Sequence, residues 1–217
     1  MTLRRLSLIV LTAALGLTFF GCDLIGTDEE QSSVVTEGVY VANQGNFGDG
    51  NGSVSLYNPD TETVTSEAIG NLNSIVQSIT LRNDRLYLVA NSGGRLDVFD
   101  AGAQTQEGQL TGFSGPRYLA FTDDQTAVLT NQSFSDSSSV EILDVNTPSP
   151  EVIASIEVPG TPEGLAVTDN QTYATLGGFS DTTLVATLDA SERRLTGTID
   201  VGCAPRYAVA DRQDEVF

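Results

Sequence analysis

The chain has 217 residues, with 29 Asp and Glu against 10 basic residues, and a formal net charge of −19. All ten basic residues are Arg, and neither Lys nor His occurs. The missing His excludes Ser-His-Asp and Cys-His catalysis and His-ligated metals, and the negative charge disfavours binding to nucleic acid phosphates. The acidic excess fits a salt-adapted source and a generally acidic proteome equally well.

The N-terminus has the pattern of a secretory signal. Arg4 and Arg5 precede a mostly apolar run over 6–20, which is shorter than the ~20 residues of a membrane-spanning helix. The run leads into Phe19-Phe20-Gly21-Cys22, which resembles the lipobox of bacterial lipoproteins, with Phe19 in place of the usual Leu. The resemblance implies a signal peptide over 1–21 and lipidation of Cys22; an uncleaved anchor helix is the alternative.

Residues 22–36 are polar and acidic and lack periodicity, so we expect a flexible tether after the lipid anchor. We expect the protein to be lipid-anchored in the cell envelope, at the outer membrane or cell surface rather than the inner membrane. The membrane is therefore its first predicted partner, and no nucleic acid is expected.

From residue 37 onward, short alternating stretches are separated by turns rich in Gly, Asn, Asp and Ser. In 53–57, 95–100 and 139–144, apolar residues occupy every second position, the period of a half-buried strand. Outside the signal no window carries a 3.6-residue apolar stripe. The pattern predicts an all-β fold.

Four β-rich stretches recur, and they end at Asn43, Asn91, Asn131 and Gly177, with spacings of 48, 40 and 46 residues. Periods of about 40 to 50 residues with several strands each are typical of a β-propeller. A second recurrence opens each unit: Pro116-Arg117-Tyr118, Pro162-Glu163-Gly164 and Pro205-Arg206-Tyr207, with Val76 lacking the Pro. We predict a propeller of four-stranded blades, with three strands of a first blade over 37–70, full blades over 71–113, 114–158 and 159–201, and a partial unit over 202–217.

These repeats resemble the YVTN-type β-propeller repeats of the YncE-like family, through Tyr40-Val41-Ala42-Asn43 and the Pro-Arg-Tyr openings. Segment 43–53 is similar to the opening repeat of surface lipoprotein propellers in that group. Family members usually have seven blades, so we expect about four blades of a longer propeller. A ring of four blades closed by 205–210 is the alternative.

Some surface propellers of this group capture corrinoids such as cobalamin and pass them to an outer-membrane transporter. The resemblance therefore implies a non-catalytic envelope lipoprotein that binds a small ligand or a partner protein. Lactonases and quinone-cofactor dehydrogenases are similar in appearance and supply the enzymatic alternative. A surface-layer scaffold is a third reading. We expect no catalytic residue, cofactor or metal.

Three loops place a Phe two residues before an Asp, and such aromatic residues near one rim would form a collar for a flat or apolar ligand. The alternative is that each Phe plugs its own loop while the Asp caps the turn. A lactonase would instead need the three Asp to converge on a metal. The pairs are Phe47 and Asp49, Phe134 and Asp136, and Phe179 and Asp181.

Four further candidates lie one place into the first strand of each unit: Gln77, Arg117, Glu163 and Arg206. Two Arg beside one Glu have the chemistry to clamp a carboxylate or phosphate. The alternative is salt bridging between blades that fixes their register. Cys203 is expected to be a small buried loop residue.

Overall fold

The computed structural model describes residues 38–169 and 171–217. The predicted signal peptide (1–21), the lipidation site Cys22 and the tether (22–36) lie outside the described residues. In the described part of the chain the regular structure is entirely β, in fifteen strands. No helix there has the length and apolar character needed to cross a membrane.

The strands form four antiparallel sheets, which we number as blades 1 to 4 in chain order. Blade 1 has three strands and blades 2, 3 and 4 have four each, and neighbouring strands in a sheet are neighbours along the chain. The strands are β1 (Val39–Asn43), β2 (Ser53–Asn58), β3 (Thr63–Ile69), β4 (Val76–Arg82), β5 (Arg85–Ala90), β6 (Arg95–Asp100), β7 (Gln106–Thr111), β8 (Pro116–Phe121), β9 (Thr126–Asn131), β10 (Ser139–Asp144), β11 (Glu151–Glu157), β12 (Leu165–Val167), β13 (Thr172–Thr175), β14 (Leu184–Asp189) and β15 (Arg194–Asp200).

The sheets are arranged as propeller blades, so the predicted β-propeller with four blades is confirmed. The last strands, β7, β11 and β15, are largely exposed, whereas the second and third strands of blades 2 to 4 are mostly buried. The first strands of consecutive blades meet: Ser78 Oγ donates to the Arg117 carbonyl at 2.8 Å. The first strands therefore line the axis and the fourth strands face outward.

Apolar residues on alternate faces of each blade fill the spaces between blades. In β5, Leu86 and Leu88 pack toward blade 1, whereas Tyr87 and Val89 pack toward blade 3. A third cluster, around Ile142, joins blades 3 and 4. Because successive side chains of a strand point to opposite faces, each interior strand contributes to two cores, and burial of one Leu stabilises the fold by about 1.5–3 kcal/mol.

The sequence pattern aligns the four units at Asn43, Asn91, Asn131 and Gly177. The strand registers shift this alignment by one residue in blades 2 and 4. The residue opposite the start of the third strand is Ala90 in blade 2, not Asn91, and Leu176 in blade 4, not Gly177. Asn43 and Asn131 hold the equivalent places in β1 and β9. The alignment matched a recurring Asn, whereas backbone pairing defines equivalent positions.

The segment after β15 lies against blade 4. The Gly177 N–H donates to the Pro205 carbonyl at 3.0 Å, and the Gly164 N–H donates to the Arg206 carbonyl at 3.0 Å. A Cβ at Gly177 would lie 2.6 Å from the Pro205 oxygen. Gly at this position therefore permits the close approach of the two backbones, where a larger residue would not fit.

Candidate functional site

A cavity of about 670 Å³ opens at one end of the first strands. The loops between second and third strands and the turns that precede first strands form its walls, so several blades contribute to it. We call it the aromatic cavity. It is lined by Gln44, Gly45, Phe47, Ile75, Asn91, Ser92, Ser114, Gly115, Arg117, Gln132, Phe134 and Phe179.

The three Phe of the predicted collar all line this cavity. Phe47, Phe134 and Phe179 are 71%, 81% and 62% exposed, so none is a plug beneath its own loop. The ring centroids of Phe134 and Phe179 lie 5.8 Å apart with an interplanar angle of 59°. Rings from three blades thus converge on one opening, an arrangement suited to holding a flat ligand.

Polar groups other than the predicted Asp carboxylates hold these loops. In the first loop the Asn51 Oδ1 accepts the Asn46 N–H at 2.7 Å, and the Asn46 carbonyl accepts the Gly50 N–H at 2.9 Å. In the loop of blade 3, the Ser133 hydroxyl oxygen accepts the Asp136 N–H at 3.0 Å. These bonds close turns that leave each Phe at the tip.

Asp49, Asp136 and Asp181 are exposed and do not line the aromatic cavity. In residues 38–169 and 171–217, no group of three or more His, Cys, Asp or Glu has the geometry to hold a metal ion. The structure therefore does not bring these three carboxylates together as the lactonase alternative requires.

Three of the four predicted channel-mouth residues form one network across blades 2, 3 and 4. Arg117 Nε donates to the two carboxylate oxygens of Glu163 at 3.1 and 3.2 Å, and Nη2 donates to Oε1. Arg117 Nη1 donates to Gln77 Oε1 at 2.7 Å. Because the Arg117 guanidinium is bound to Glu163, Arg117 forms a salt bridge between blades, which was the alternative to clamping a ligand.

Glu163 is only 3% exposed, and its carboxylate accepts a further hydrogen bond from Gln132. Gln132 Nε2 donates to Glu163 Oε2 at 2.7 Å and to the Pro162 carbonyl at 3.0 Å. A buried carboxylate needs such partners, because burying an unpaired charge costs several kcal/mol. We call this network the floor of the site. It lies beside the aromatic cavity and consists of Gln77, Arg117, Glu163 and Gln132.

Gly178 lets the third Phe loop lie directly on this floor. A Cβ at Gly178 would lie 2.9 Å from Glu163 Oε2 and 3.0 Å from the Thr161 carbonyl, and it would also collide with the Gln132 amide. The next residue, Phe179, is anchored by its N–H, which donates to Thr161 Oγ1 at 3.3 Å. The absence of a side chain at Gly178 therefore positions Phe179 over the Arg117–Glu163 pair.

Arg206, the fourth channel-mouth residue, is exposed and lies beside Phe179. Its Cζ is 6.0 Å from the centroid of the Phe179 ring, and the Cζ of Arg117 is 5.5 Å from the same centroid. Both distances are within the range of a cation–π interaction. Phe179 is thus the contact point between the predicted collar and the predicted channel-mouth cations.

The residue after each Arg contributes an aromatic pair in the channel. The rings of Tyr118 and Tyr207 meet edge to face, with centroids 6.1 Å apart and an interplanar angle of 85°. Burial raises the pKa of Tyr118, and the hydrogen bond with the Tyr207 hydroxyl raises it further. The Tyr118 phenol is therefore neutral across the physiological range.

The sequence-based prediction missed the amide and hydroxyl groups of the cavity. Gln44, Asn91, Ser92, Ser114 and Gln132 line it. Each lies within two residues of the end of a second strand or the start of a first strand. That position in the repeat could have identified them as cavity residues. The prediction for Cys203 was wrong: it is exposed, because its loop lies on the surface beyond β15 and packs against no described core cluster.

Solved structures with similar folds share little sequence with this chain. Hydrazine synthase from Kuenenia stuttgartiensis matches with 21% identity and a TM-score of 0.56, over 64% of this chain and 40% of that chain. A hypothetical selenium-binding protein from Sulfolobus tokodaii matches with 16% identity and a TM-score of 0.62, over 77% and 48%. The computationally designed protein Ika8 matches with 14% identity and a TM-score of 0.62, over 79% and 49%. This chain therefore spans less than half the length of these three chains.

No curated protein matches the sequence. A protein-family model described as "Domain of unknown function (DUF5074)" matches residues 37–214. The match covers all fifteen strands and every predicted ligand-binding residue. The chain therefore belongs to the DUF5074 family, and in this member the family's domain is a β-propeller with an aromatic cavity at one end of its channel.

Proposed function

We propose that this chain is a non-catalytic cell-envelope lipoprotein that binds a small ligand with a flat ring in the aromatic cavity. The observation that carries the proposal is the convergence of Phe47, Phe134 and Phe179, all more than half exposed, on one opening. Exposed aromatic rings are an unfavourable surface unless a ligand or partner covers them.

The polar residues of the cavity lining favour binding of a specific small ligand over nonspecific hydrophobic binding. Amide groups of Gln44 and Asn91 lie around the rings, and a few placed polar groups in an apolar pocket orient a ligand. Since the Arg117–Glu163 pair and Gly178 hold the floor in place, little ordering is needed on binding. A preformed pocket of this kind loses less free energy to ligand ordering.

The proposed location rests on the sequence. The Arg4-Arg5 pair, the apolar run and Gly21-Cys22 support export and lipidation of Cys22. We place the protein at the outer membrane or cell surface, with an outer-membrane transporter or another surface protein as its partner. Labelling with a lipid precursor tests this directly: the wild-type chain should incorporate it, and Cys22→Ser should not.

The finer proposal is corrinoid capture, and the resemblance to YVTN-type repeats of the YncE-like family supports it. A corrinoid presents a broad flat ring whose edge bears amide groups. Phenylalanine rings suit the flat face of such a ligand, and the amides of Gln44 and Asn91 suit its edge. The enzymatic alternatives, a lactonase or a quinone-cofactor dehydrogenase, have no supporting observation in the described residues.

Calorimetric titration of the 217-residue chain with cobalamin tests the proposal. We expect heat at micromolar ligand, and we expect Phe134→Ser and Phe179→Ser each to weaken binding about tenfold, since one aromatic contact is worth about 0.5–1.5 kcal/mol beyond its buried area. Val64→Ser is the matched control, because Val64 is 61% exposed on β3, away from the cavity. No heat with cobalamin removes the corrinoid proposal. Undiminished binding by both Phe variants removes the cavity as the site.

A further inference from the structure

Five of the eight Arg in the described residues form an ion pair, and Arg206 is one of the three that do not. Acidic residues outnumber basic ones 29 to 10, so carboxylates are abundant. Five ion pairs occur among the described residues, and Arg206 belongs to none of them. Its guanidinium also makes no hydrogen bond in the described part of the chain, whereas Arg117 donates to Glu163 and Gln77.

The backbone of Arg206 is nevertheless firmly placed. Its carbonyl accepts the Gly164 N–H at 3.0 Å and the Thr175 hydroxyl at 3.0 Å. Pro205, next to it, accepts the Gly177 N–H at 3.0 Å. Because the backbone is already fixed, ligand binding needs to order only the exposed side chain.

Arg206 lies beside the aromatic cavity, outside its lining and next to the lining residue Phe179. Its Cζ is 6.0 Å from the centroid of Phe179, and Phe179 packs at 5.8 Å against Phe134. A ring that enters the cavity beside Phe179 would therefore have the Arg206 guanidinium at the border of its site. Arg is suited to this task because its planar fork donates two parallel hydrogen bonds to a carboxylate, sulfonate or phosphate.

We infer that the ligand of the aromatic cavity is a ring-bearing anion and that Arg206 binds its acidic group. This inference rests on the proposed function, because it assumes that the aromatic cavity is a ligand site, and it adds the charge of the ligand. Arg117 is the positioning residue on the other side: it holds Phe179 through its cation–π contact while Glu163 neutralises its charge.

The test compares three probes on the 217-residue chain by calorimetry at neutral pH. Naphthalene-2-carboxylate has both the ring and the anion, naphthalene-2-carboxamide has the ring alone, and acetate has the anion alone. We expect the carboxylate to bind at least about tenfold tighter than the carboxamide, in line with a charge-assisted hydrogen bond. Acetate should bind too weakly to measure.

Substitution then identifies the residue. Arg206→Gln should abolish the difference between the affinities for the carboxylate and the carboxamide, and Arg206→Lys should retain part of the difference. Arg212→Gln is the matched control, since Arg212 is exposed on the same segment and forms none of the described ion pairs. Thermal unfolding of each variant verifies that the fold is intact.

Two failures are distinguishable. Equal affinities for the two ring probes, or equal losses in Arg206→Gln and Arg212→Gln, overturn the role of Arg206 but leave the aromatic cavity as a site for neutral rings. Absence of binding by both ring probes and by cobalamin overturns the proposed function together with the inference.

Discussion

Arg117 and Glu163 form a bidentate ion pair that joins blade 3 to blade 4, with Nε 3.1 and 3.2 Å from the two carboxylate oxygens. Their side chains are only 13% and 4% exposed. A pair this buried stabilises the native state only while both partners are present, because either one alone is an uncompensated charge.

Glu163→Gln should therefore be strongly destabilising. We expect the free energy of unfolding to fall by about 3 kcal/mol, measured by urea unfolding followed by circular dichroism. Glu107→Gln is the control: its partner Arg85 is at 3.2 Å, but the side chains are 29% and 33% exposed, and loss of such a pair costs about 0.2–1 kcal/mol. Equal effects of the two variants would contradict the assigned role of the buried pair.

The hydroxyl of Thr130 links blade 3 to blade 4. Thr130 Oγ1 donates to the Glu163 carbonyl at 2.8 Å and accepts the Tyr118 N–H at 3.0 Å. Thr130→Val keeps the shape and leaves both backbone groups unpaired, so we expect a loss of about 1–3 kcal/mol in denaturant unfolding. Thr61→Val, which removes an exposed hydroxyl bonded only to Thr63, should change stability by less than about 0.5 kcal/mol.

Gly178→Ala tests the close contact beneath the third Phe loop. The added methyl group would force Glu163, Gln132 or the Thr161 carbonyl to move, and overpacking of this kind costs about 1–3 kcal/mol. We expect a lower melting temperature and weaker binding of ring probes, because Phe179 is displaced with the loop. Gly48→Ala is the control, since its Cβ would meet only the Asn46 side chain at 3.7 Å. A melting temperature equal to that of the control would mean that the loop accommodates the methyl group freely.

Alkaline pH should destabilise the channel through Tyr118. Burial and then the Tyr207 hydroxyl raise the pKa of Tyr118, so the unfolded chain ionises first as pH rises above the ordinary tyrosine pKa of about 10. The stabilising contribution is complete below that pH and is lost as pH rises through the folded-state pKa.

In Tyr118→Phe, the free energy of unfolding should therefore decline less steeply with pH above about 10. Part of the decline remains, because burial also raises the pKa of Tyr87. Urea unfolding at a series of alkaline pH values measures the slope. Tyr57→Phe in blade 1 serves as the control for loss of a phenol, and an identical slope in Tyr118→Phe and wild type would refute the prediction.

The aromatic collar was predictable because its signal is local. Phe47, Phe134 and Phe179 each precede an Asp by two residues within a loop of the same position in its unit. Repeated units place equivalent loops on one rim, so convergence of the rings follows from the repeat alone. The role of the Asp carboxylates was not predictable, because Asn51 and Ser133 accept the turn N–H groups, while the Asp136 carboxylate accepts only the neighbouring Ser135 hydroxyl among the described residues.

The sequence by itself determined the all-β class, the propeller period and the loops that carry the aromatic residues, since period-2 alternation and turn residues act over a few neighbours. Only the tertiary structure decided that Arg117 pairs with Glu163 while Arg206 pairs with no described carboxylate, and that Gln132 completes the network. Arg117 and Arg206 open their units with the same Pro-Arg-Tyr triplet. Their contacts differ because Arg117 faces the Glu163 carboxylate, 46 positions along the chain, whereas Arg206 lies beside the Phe179 ring.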